Sequence, residues 1–347
     1  MPSREEKLST IQKIFSGSKG ILAADESVPT AGKRLESIGV PSTPETRQKY
    51  REIFLTTPGI ESYLSGVIFF DETFRQSLNG KSFPKLVEEK GIVPGIKVDK
   101  GAVDSLEFPG EKITVGLDGL PARLAEYYAL GARFAKWRAV ITIGNNIPTD
   151  GCLIKNAGIL AEYSKNCLDA GIVPIIEPEV LLDGEHSIEK SEAITTKTLR
   201  ITFNSLKNLN LPLNEVILKT SMVVPGNKSG EPMDPSKIAE ATVRCLKNSV
   251  PAEVGGIVFL SGGQTPVQAT VNLNAISKLK PLPWPTSFSY ARALQGDPLK
   301  IWQGKDENIL AAQAVFLKRL KLNCAANRAQ AEQSSYDGNR GEYRGEE

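Results

Sequence analysis

Eight short runs of apolar and β-branched residues recur along the chain, most of them separated by segments with helical spacing. Such runs, closed by turn or polar residues, are typical of buried strands. We predict strands over residues 20–25, 66–70, 95–99, 134–141, 172–180, 216–223, 256–260 and 286–290. Helical spacing predicts helices over residues 119–131, 156–168, 237–247 and 267–279. The order of elements is therefore a repeated strand–helix unit.

Eight strands interleaved with helices favour a closed (β/α)8 barrel, the TIM barrel, although an open doubly wound sheet gives a similar string. In nearly every run the polar residues lie in the C-terminal half or just after it: Asp25, Asp71, Asp99, Arg138, Glu179, Lys219, Ser261 and Arg292. Active sites of such barrels lie at that end. We therefore predict an α/β fold with one barrel domain over residues 1–326, including an N-terminal helical segment, and a flexible polar tail over residues 327–347.

Charge and hydropathy narrow the range of partners. The 347 residues carry a net charge of +2, which offers no strong field for nucleic acid or an anionic membrane. The N-terminal residues lack the apolar stretch of a secretory signal, and no run of about 18 apolar residues predicts a membrane helix. We expect a cytoplasmic protein with no nucleic-acid or membrane partner.

Cysteine and histidine usage argues against disulfides and metal sites. Cys152, Cys167, Cys245 and Cys324 are widely dispersed and are expected to be reduced. His186 is the single histidine, so a metal site built from several histidines cannot form in one chain. We predict no metal and no cofactor, and we interpret His186 as a loop residue with a hydrogen-bonding role rather than a general base.

Charged residues inside the apolar runs are the main functional signal. A lysine within a strand-like run, such as Lys219, is costly to bury without a partner. Residues two apart on a strand share a face. Three same-face charged pairs follow from this rule: Lys97 with Asp99, Lys136 with Arg138, and Glu177 with Glu179. If these pairs converge, they form one polar site inside an apolar shell.

Lys219 is a candidate nucleophile. A free lysine has a pKa of about 10.4, so roughly one molecule in a thousand is neutral at neutral pH. Only the neutral amine attacks a carbonyl. Burial, together with cations such as Lys136 and Arg138 on the same interior, would favour that form. The alternative is that Lys219 is a structural ion-pair partner of Glu177 or Glu179.

The candidate acids also allow two interpretations. Two carboxylates in one cavity, Glu177 and Glu179, tend to raise the pKa of one of them and so supply a general acid. They could equally serve as counter-charges for nearby lysines. Asp25 ends the first predicted strand, and it could instead cap a helix that begins near Thr30.

Two anion sites are predicted at the same end of the barrel. Barrels of this type often bind phosphate after their seventh and eighth strands. The candidates there are Ser261, Gly262, Gly263, Gln264, Ser289 and Arg292. A second anion site could use Ser27, Thr30, Lys33, Arg34 and Lys97, although Lys33 and Arg34 alone are typical of a solvated helix face.

The motifs around these residues resemble a known family. They span residues 20–27 (GILAADES), 95–101 (GIKVDKG), 134–138 (FAKWR), 175–179 (IIEPE), 218–219 (LK) followed by 222–223 (MV), and 260–264 (LSGGQ). In order and over residues 20–325, the chain resembles class I fructose-bisphosphate aldolase. The resemblance implies a metal-independent lyase that cleaves fructose 1,6-bisphosphate to dihydroxyacetone phosphate and glyceraldehyde 3-phosphate in glycolysis and gluconeogenesis.

The resemblance also implies roles for individual residues. Lys219 would form a Schiff base with carbon 2 of the sugar, and Glu177 would act as the acid and base. Support and polarisation would come from Asp25, Lys136 and Glu179. The carbon 1 phosphate would be bound by Ser261, Gly262, Ser289 and Arg292, with Gly263 as a neighbouring substrate-binding residue. The carbon 6 phosphate would be bound by Ser27, Thr30, Arg34 and Lys97, with Arg138 as a further substrate contact.

The chain departs from the family pattern in three places. Val28 and Pro29 stand where Thr-Gly is common, which stiffens the loop at the carbon 6 phosphate site. Thr220-Ser221 replaces a common Pro-Asn, which indicates a bacterial branch. The chain ends in Glu-Glu rather than in the tyrosine of the animal enzymes, and whether Tyr336 or Tyr343 replaces that tyrosine stays open.

Two alternatives to this function remain at the sequence level. The first is a Schiff-base aldolase that prefers another ketose phosphate, such as sedoheptulose 1,7-bisphosphate or fructose 1-phosphate. The second is a sugar-phosphate-binding scaffold protein without turnover. Family analogy further suggests a homotetramer.

Overall fold

A closed barrel of eight parallel strands forms the centre of the computed structural model, which describes residues 3–331. The strands are β1 Gly20–Ala24, β2 Leu64–Phe69, β3 Val93–Lys97, β4 Phe134–Ile141, β5 Val173–Val180, β6 Ile217–Thr220, β7 Gly256–Phe259 and β8 Thr286–Tyr290. Each strand pairs with the next in parallel, and β8 pairs with β1 to close the barrel, with Ser289 opposite Ile21. The predicted TIM barrel is confirmed, and every predicted strand corresponds to one of these eight.

Helices surround the barrel. They are α1 Arg4–Ile14, α2 Val28–Glu36, α3 Pro44–Leu55, α4 Asp71–Arg75, α5 Phe83–Glu88, α6 Leu120–Ala129, α7 Asp150–Asp169, α8 Ile188–Asn208, α9 Pro235–Ser249, α10 Pro266–Ser277, α11 Arg292–Trp302 and α12 Ile309–Asn327. Two short antiparallel hairpins interrupt the alternation, one pairing Ser77–Leu78 with Lys81–Ser82 and one pairing Ala102–Asp104 with Lys112–Thr114. No helix among residues 3–331 has the length and apolar character needed to cross a membrane.

Side-chain caps fix where several helices begin after the strands. Thr149 accepts a hydrogen bond from the backbone of Cys152 at the start of α7, and Ser187 does the same for α8. Thr265 and Gln268 form a reciprocal capping box at the start of α10. Because each cap satisfies an otherwise unpaired N–H group, the loops at the C-terminal ends of the strands are held in defined positions.

The lower half of the barrel interior is apolar. Its buried side chains include Ile21, Ile68, Phe134, Ile175, Ile217 and Val258, and Ile11 and Ile14 of α1 close the bottom. A Cβ on Gly95 would lie 2.2 Å from the ring of Phe134, so glycine there makes room for the aromatic side chain. Burial of each side chain of this size contributes about 1.5–3 kcal/mol to the stability of the fold. The packed lower half therefore supports the upper half of the barrel.

The folded domain extends beyond the predicted start of the tail at residue 327. Asn327 ends α12 and is buried, and its backbone oxygen accepts a 2.8 Å hydrogen bond from Lys280. The backbone N–H of Ala331 donates to Asn274 at 3.2 Å. Residues 327–331 are polar or small, yet they bind to the barrel through backbone groups that side-chain composition does not reveal. The rest of the predicted tail, 332–347 with Tyr336 and Tyr343, lies outside the described residues.

The cysteines and the histidine are all buried. The four cysteines are free, as predicted. His186 lies in the loop between β5 and α8, and burial lowers its pKa despite the nearby carboxylates of Glu231 and Asp183. Neither ring nitrogen has a hydrogen-bond partner within residues 3–331, so the predicted hydrogen-bonding role is not observed.

Candidate active site

The charged residues of the strands meet in one cavity of about 1470 Å³ at the C-terminal end of the barrel. All but two of the predicted site residues line it: Asp25, Ser27, Thr30, Lys33, Arg34, Lys97, Lys136, Arg138, Glu177, Glu179, Lys219, Ser261, Gly262, Ser289 and Arg292. The exceptions are Gly263 and Gln264, which follow Gly262 in the loop after β7. The cavity is therefore the polar site that the sequence predicts, although the role of each residue stays a prediction.

Strand register explains this convergence. Lys97 on β3 lies opposite Lys136 on β4, and Arg138 lies opposite Glu177 on β5. Residues two apart point to the same face, so the charges at the ends of neighbouring strands enter the barrel together. The apolar lower half supports them from below, and Lys136, Glu177 and Lys219 are each less than 5% exposed.

Four of these groups form an alternating chain of charges. Lys219 Nζ lies 3.0 Å from Glu177 Oε1, and Lys136 Nζ lies 3.1 Å from Glu177 Oε2. Lys136 Nζ also lies 2.6 Å from Asp25 Oδ2. Each oxygen of Glu177 therefore contacts one lysine, and Lys136 is shared between two carboxylates.

The lysines determine the protonation of the carboxylates. Burial raises the pKa of Glu177, but Lys136 and Lys219 outweigh it and leave that pKa below its usual value. Burial also raises the pKa of Asp25, and the same two lysines bring it well below the usual range. Burial lowers the pKa of Lys136, but Asp25 and Glu177 leave it well above its ordinary value. The Asp25–Lys136–Glu177 group is thus fully charged at neutral pH.

For Glu177 and for Asp25 the structure favours one of the two interpretations left open by the sequence. The sequence predicts that Glu177 and Glu179 raise the pKa of one of the pair, whereas the pKa of Glu177 is lowered because two lysines surround it. Asp25 is not a helix cap, since α2 begins at Val28 with Ser27 at the N-cap position and Asp25 binds Lys136.

Arg138 and Lys97 each pair with a carboxylate at the rim of the cavity. Arg138 forms an ion pair with Glu179, and Lys97 forms an ion pair with Asp99. Asp99 also accepts hydrogen bonds from the backbone of Gly101 at 3.1 Å and of Arg138 at 3.2 Å. It therefore joins the ends of β3 and β4. The same-face rule pairs Asp99 with Lys97 but cannot show these backbone contacts.

One end of the cavity is formed by the loop after β7 and by the end of β8. Gly262 and Gly263 have φ angles of +49° and +88°, a backbone region that favours glycine. Ser289 is buried, and its Oγ has no hydrogen-bond partner within residues 3–331. Arg292 is exposed and extends toward the loop, because a Cβ on Gly263 would lie 3.9 Å from its guanidinium. This end presents unpaired donors to an anion.

The opposite end is formed by the start of α2. Ser27 Oγ and Thr30 Oγ1 lie 3.1 Å apart, and Pro29 in the first turn has no N–H to donate. Arg34 forms an ion pair with the buried carboxylate of Glu26, which also pairs with Arg51. One terminal nitrogen of Arg34 is thus already engaged with a protein carboxylate.

The comparisons with known proteins agree with this geometry. The sequence model of the family described as fructose-bisphosphate aldolase class-I matches residues 6–344. The chain belongs to this family. It is 51% identical to the probable fructose-bisphosphate aldolase class 1 of Xylella fastidiosa, covering 92% of this chain and 97% of that one. It is 48% identical to the cytosolic fructose-bisphosphate aldolase 4 of Arabidopsis thaliana, covering 92% and 82%.

A solved aldolase shares the fold. A fructose-bisphosphate aldolase from Plasmodium falciparum, crystallised with TRAP and a small-molecule inhibitor, matches with a TM-score of 0.92 at 43% identity, covering 94% of this chain and 95% of that one. These matches confirm the family resemblance that the motifs indicate. The family is a family of lyases. Bacterial and plant relatives are almost equally similar, so the bacterial branch stays a prediction.

One departure from the family pattern has a local structural role in this aldolase. Ser221 donates a 2.8 Å hydrogen bond to the backbone oxygen of Val180, which ties the segment after the Lys219 strand to β5.

Three residues that contact Arg34 are not among the predicted site residues: Glu26, Tyr50 and Gln295. Glu26 follows Asp25 in a recognisable motif, whereas nothing in the local sequence marks the other two.

Proposed function

We propose that this protein is a class I aldolase that cleaves fructose 1,6-bisphosphate reversibly through a Schiff base on Lys219. One observation carries the proposal: Lys219 is buried in the centre of the cavity with its amine 3.0 Å from Glu177, between two candidate anion-binding ends. A binding protein for sugar phosphates would not require a buried amine next to an acid. The scaffold alternative therefore lacks a supporting feature.

The first step would be formation of the imine. A proton passes from the Lys219 ammonium to Glu177 over the 3.0 Å contact, and the neutral amine attacks carbon 2 of the open-chain sugar. Glu177 then returns that proton to the leaving hydroxyl of the carbinolamine, which departs as water. The products of this step are a protonated imine and the carboxylate form of Glu177.

The second step would be carbon–carbon bond cleavage. Glu177 accepts the proton of the carbon 4 hydroxyl, and the electron pair of the bond between carbons 3 and 4 moves into the protonated imine. Glyceraldehyde 3-phosphate leaves and an enamine remains. Return of the proton held by Glu177 to carbon 3 of the enamine regenerates the protonated imine, and hydrolysis of the imine by water releases dihydroxyacetone phosphate and the free Lys219.

The surrounding charges would keep Glu177 ready for both steps. Lys136 stays positively charged because Asp25 and Glu177 raise its pKa, so a fixed cation lies 3.1 Å from the acid. Arg138 is paired with Glu179 and would contact the sugar rather than the amine. Asp25, Lys136 and Glu179 thus act as supporting groups in the proposal.

Location and assembly follow by analogy only. We propose a cytoplasmic protein, which is supported by relatives whose names specify the cytosol or the cytoplasm. We propose a homotetramer from the family resemblance. Light scattering on the purified protein would give a mass near that of a single chain if the tetramer proposal is wrong.

Borohydride trapping tests the mechanism directly. The protein is reduced with sodium borohydride in the presence of dihydroxyacetone phosphate, and peptide mass spectrometry locates the adduct. We expect a triose phosphate adduct at Lys219 and none in Lys219→Met. The matched control is Lys7→Met, which removes a largely buried lysine paired with Glu215 at the other end of the barrel. It should keep the adduct.

The same variants give the size of the catalytic effect. Removal of a covalent nucleophile lowers kcat by a factor on the order of 10⁴ or more. We therefore expect Lys219→Met to lose cleavage to that extent while fructose 1,6-bisphosphate still binds in a calorimetric titration. Cleavage by Lys219→Met at the wild-type rate, or an adduct on another lysine, would refute the proposal.

A further inference from the structure

A buried hydrogen-bond network links the two anion ends of the cavity through a residue that does not line it. Gln295 lies on α11 and is completely buried. Its amide nitrogen donates a 2.6 Å hydrogen bond to the backbone oxygen of Ala23, two residues before Asp25 on β1. Its amide oxygen accepts hydrogen bonds from Tyr50 and, at 3.3 Å, from Arg34.

Arg34 is held in this network by one terminal nitrogen. That nitrogen donates to the Glu26 carboxylate, to Tyr50 Oη at 3.2 Å and to Gln295. No hydrogen bond of Nε or of the other terminal nitrogen is found between residues 3 and 331, and the side chain lines the cavity. The network therefore fixes one side of the guanidinium and leaves the other side free for an anion.

Arg292 is connected to the same network through α11. It is the first residue of this helix, one turn before Gln295, and the backbone N–H groups of residues 294 and 295 both donate to the oxygen of Ala291. The hydrogen bond from Gln295 to Ala23 ties this first turn to β1. The positions of Arg34 and Arg292 relative to Asp25 thus depend on the same amide group.

We propose that Gln295 is a positioning residue that sets the distance between the two arginines at the phosphate-binding ends of the cavity. The inference rests on the proposed function, because it takes Arg34 and Arg292 as phosphate contacts. Gln295 itself contacts no substrate. A sugar with two phosphates spans both ends of the cavity. Its binding therefore depends more strongly on the distance between the ends than the binding of a triose that carries one phosphate.

A substitution to alanine removes all three hydrogen bonds. In Gln295→Ala the oxygen of Ala23 and the donors of Tyr50 and Arg34 lose their partner, and α11 loses its link to β1. Loss of a hydrogen bond to a charged group corresponds to about a tenfold change in affinity. We expect the KM for fructose 1,6-bisphosphate to rise about tenfold, with a smaller rise for dihydroxyacetone phosphate and little change in kcat.

A matched control separates positioning from general stability. Gln313 is also a buried glutamine, on α12, whose amide donates to the backbone oxygen of Ile53 at 3.2 Å and to Thr56 at 3.0 Å, outside the cavity. Gln313→Ala should lower the melting temperature as Gln295→Ala does. It should leave both KM values unchanged.

Tyr50→Phe is a second, milder variant. It removes the hydroxyl that contacts Gln295 and Arg34 but keeps the edge-to-face packing with Phe54, whose ring centroid is 5.2 Å away. We expect the KM for the bisphosphate to rise about threefold, since the Arg34 contact to Gln295 remains.

The outcomes distinguish the inference from the function on which it rests. If Gln295→Ala and Gln313→Ala destabilise the protein equally and neither changes a KM, Gln295 is structural and the inference is wrong. If Gln295→Ala changes kcat and the KM values of both substrates by the same factor, it acts on the catalytic centre and the inference is also wrong. Absence of the borohydride adduct in the wild type would instead refute the proposed function.

Discussion

The two ends of the cavity differ in how ready they are to bind an anion. The loop after β7 and the end of β8 offer glycine backbone, the exposed Arg292 and the hydroxyl of Ser289, which has no hydrogen-bond partner in the described part of the chain. At the start of α2 the corresponding groups already have partners, with Arg34 on Glu26 and Lys97 on Asp99. An anion forms new contacts at the first end. At the second end it must share Arg34 and Lys97 with the carboxylates that already bind them.

This difference has an energetic consequence. A cation that is already paired with a buried carboxylate gains less from an incoming phosphate than an unpaired cation does, because part of its attraction is already used. If the family assignment of the ends is correct, the carbon 1 phosphate contributes most of the binding energy. The carbon 6 phosphate then contributes more to discrimination between sugars.

After Lys219→Met, the largest effect is expected between the two ends, at Lys136. Lys136→Met removes the cation shared by Asp25 and Glu177, and loss of a group that supports acid–base catalysis lowers kcat about 10³-fold. Breaking a buried ion pair also costs about 3–5 kcal/mol of stability. Lys7→Met, which breaks a buried pair with Glu215 below the barrel, should lose stability while it retains kcat.

The pH dependence gives a second measurement on the same variant. In the wild type the pKa values of Asp25 and Glu177 are lowered by folding, so their contribution to stability is present above about pH 4 and is lost as pH falls further. Without Lys136 the effect of burial is opposed by Lys219, with Lys97 acting on Asp25 and Arg138 on Glu177, and the contribution of the two carboxylates to stability at neutral pH shrinks. The difference in unfolding free energy between the two proteins, from urea titrations, should therefore stay constant from pH 7 to about pH 4 and narrow below about pH 4, as the wild type loses this contribution. A difference that stays constant below about pH 4 would contradict the charge assignment.

At the carbon 1 end, Arg292→Ala should have the next largest effect. Loss of hydrogen bonds between a charged donor and a phosphate corresponds to about a 30-fold rise in KM. The rise should be similar for fructose 1,6-bisphosphate and fructose 1-phosphate, because both carry the carbon 1 phosphate. Arg244→Ala removes an exposed arginine paired with Glu192 on the outer helices and serves as the control. A rise for the bisphosphate alone would reverse the assignment of the ends.

The sequence predicts the strand half of the site, which is formed by side chains on β3 to β6, better than the helix half, which is formed by side chains on α2, α3 and α11. Lys97, Lys136, Glu177 and Lys219 lie inside apolar runs, where a period of two determines the face, and their convergence follows once the barrel closes. The direction of the pKa shift of Glu177 does not follow, because the spacing of carboxylates does not show which cations each one meets.

The helix half of the site depends on contacts between distant segments. Tyr50 and Gln295 are 245 positions apart, and Gln295 and Ala23 are 272 apart. Both residues have ordinary helical surroundings in the sequence, and only the packing of α3 and α11 against the end of β1 brings them to Arg34. The same limit applies to residues 327–331, whose polar composition predicts a tail although their backbone is bound to the barrel.

The smallest effect is expected at the carbon 6 end, in Arg34→Gln. Glu26 keeps Arg51 as its partner, so the fold should be retained. Because Arg34 shares its charge with Glu26, its loss should raise the KM for fructose 1,6-bisphosphate only about fivefold. Fructose 1-phosphate lacks the carbon 6 phosphate and is the internal control, with an unchanged KM. Equal increases for both substrates would place Arg34 at the other end, and no increase for either would mean that Glu26, Tyr50 and Gln295 hold Arg34 for a purely structural purpose.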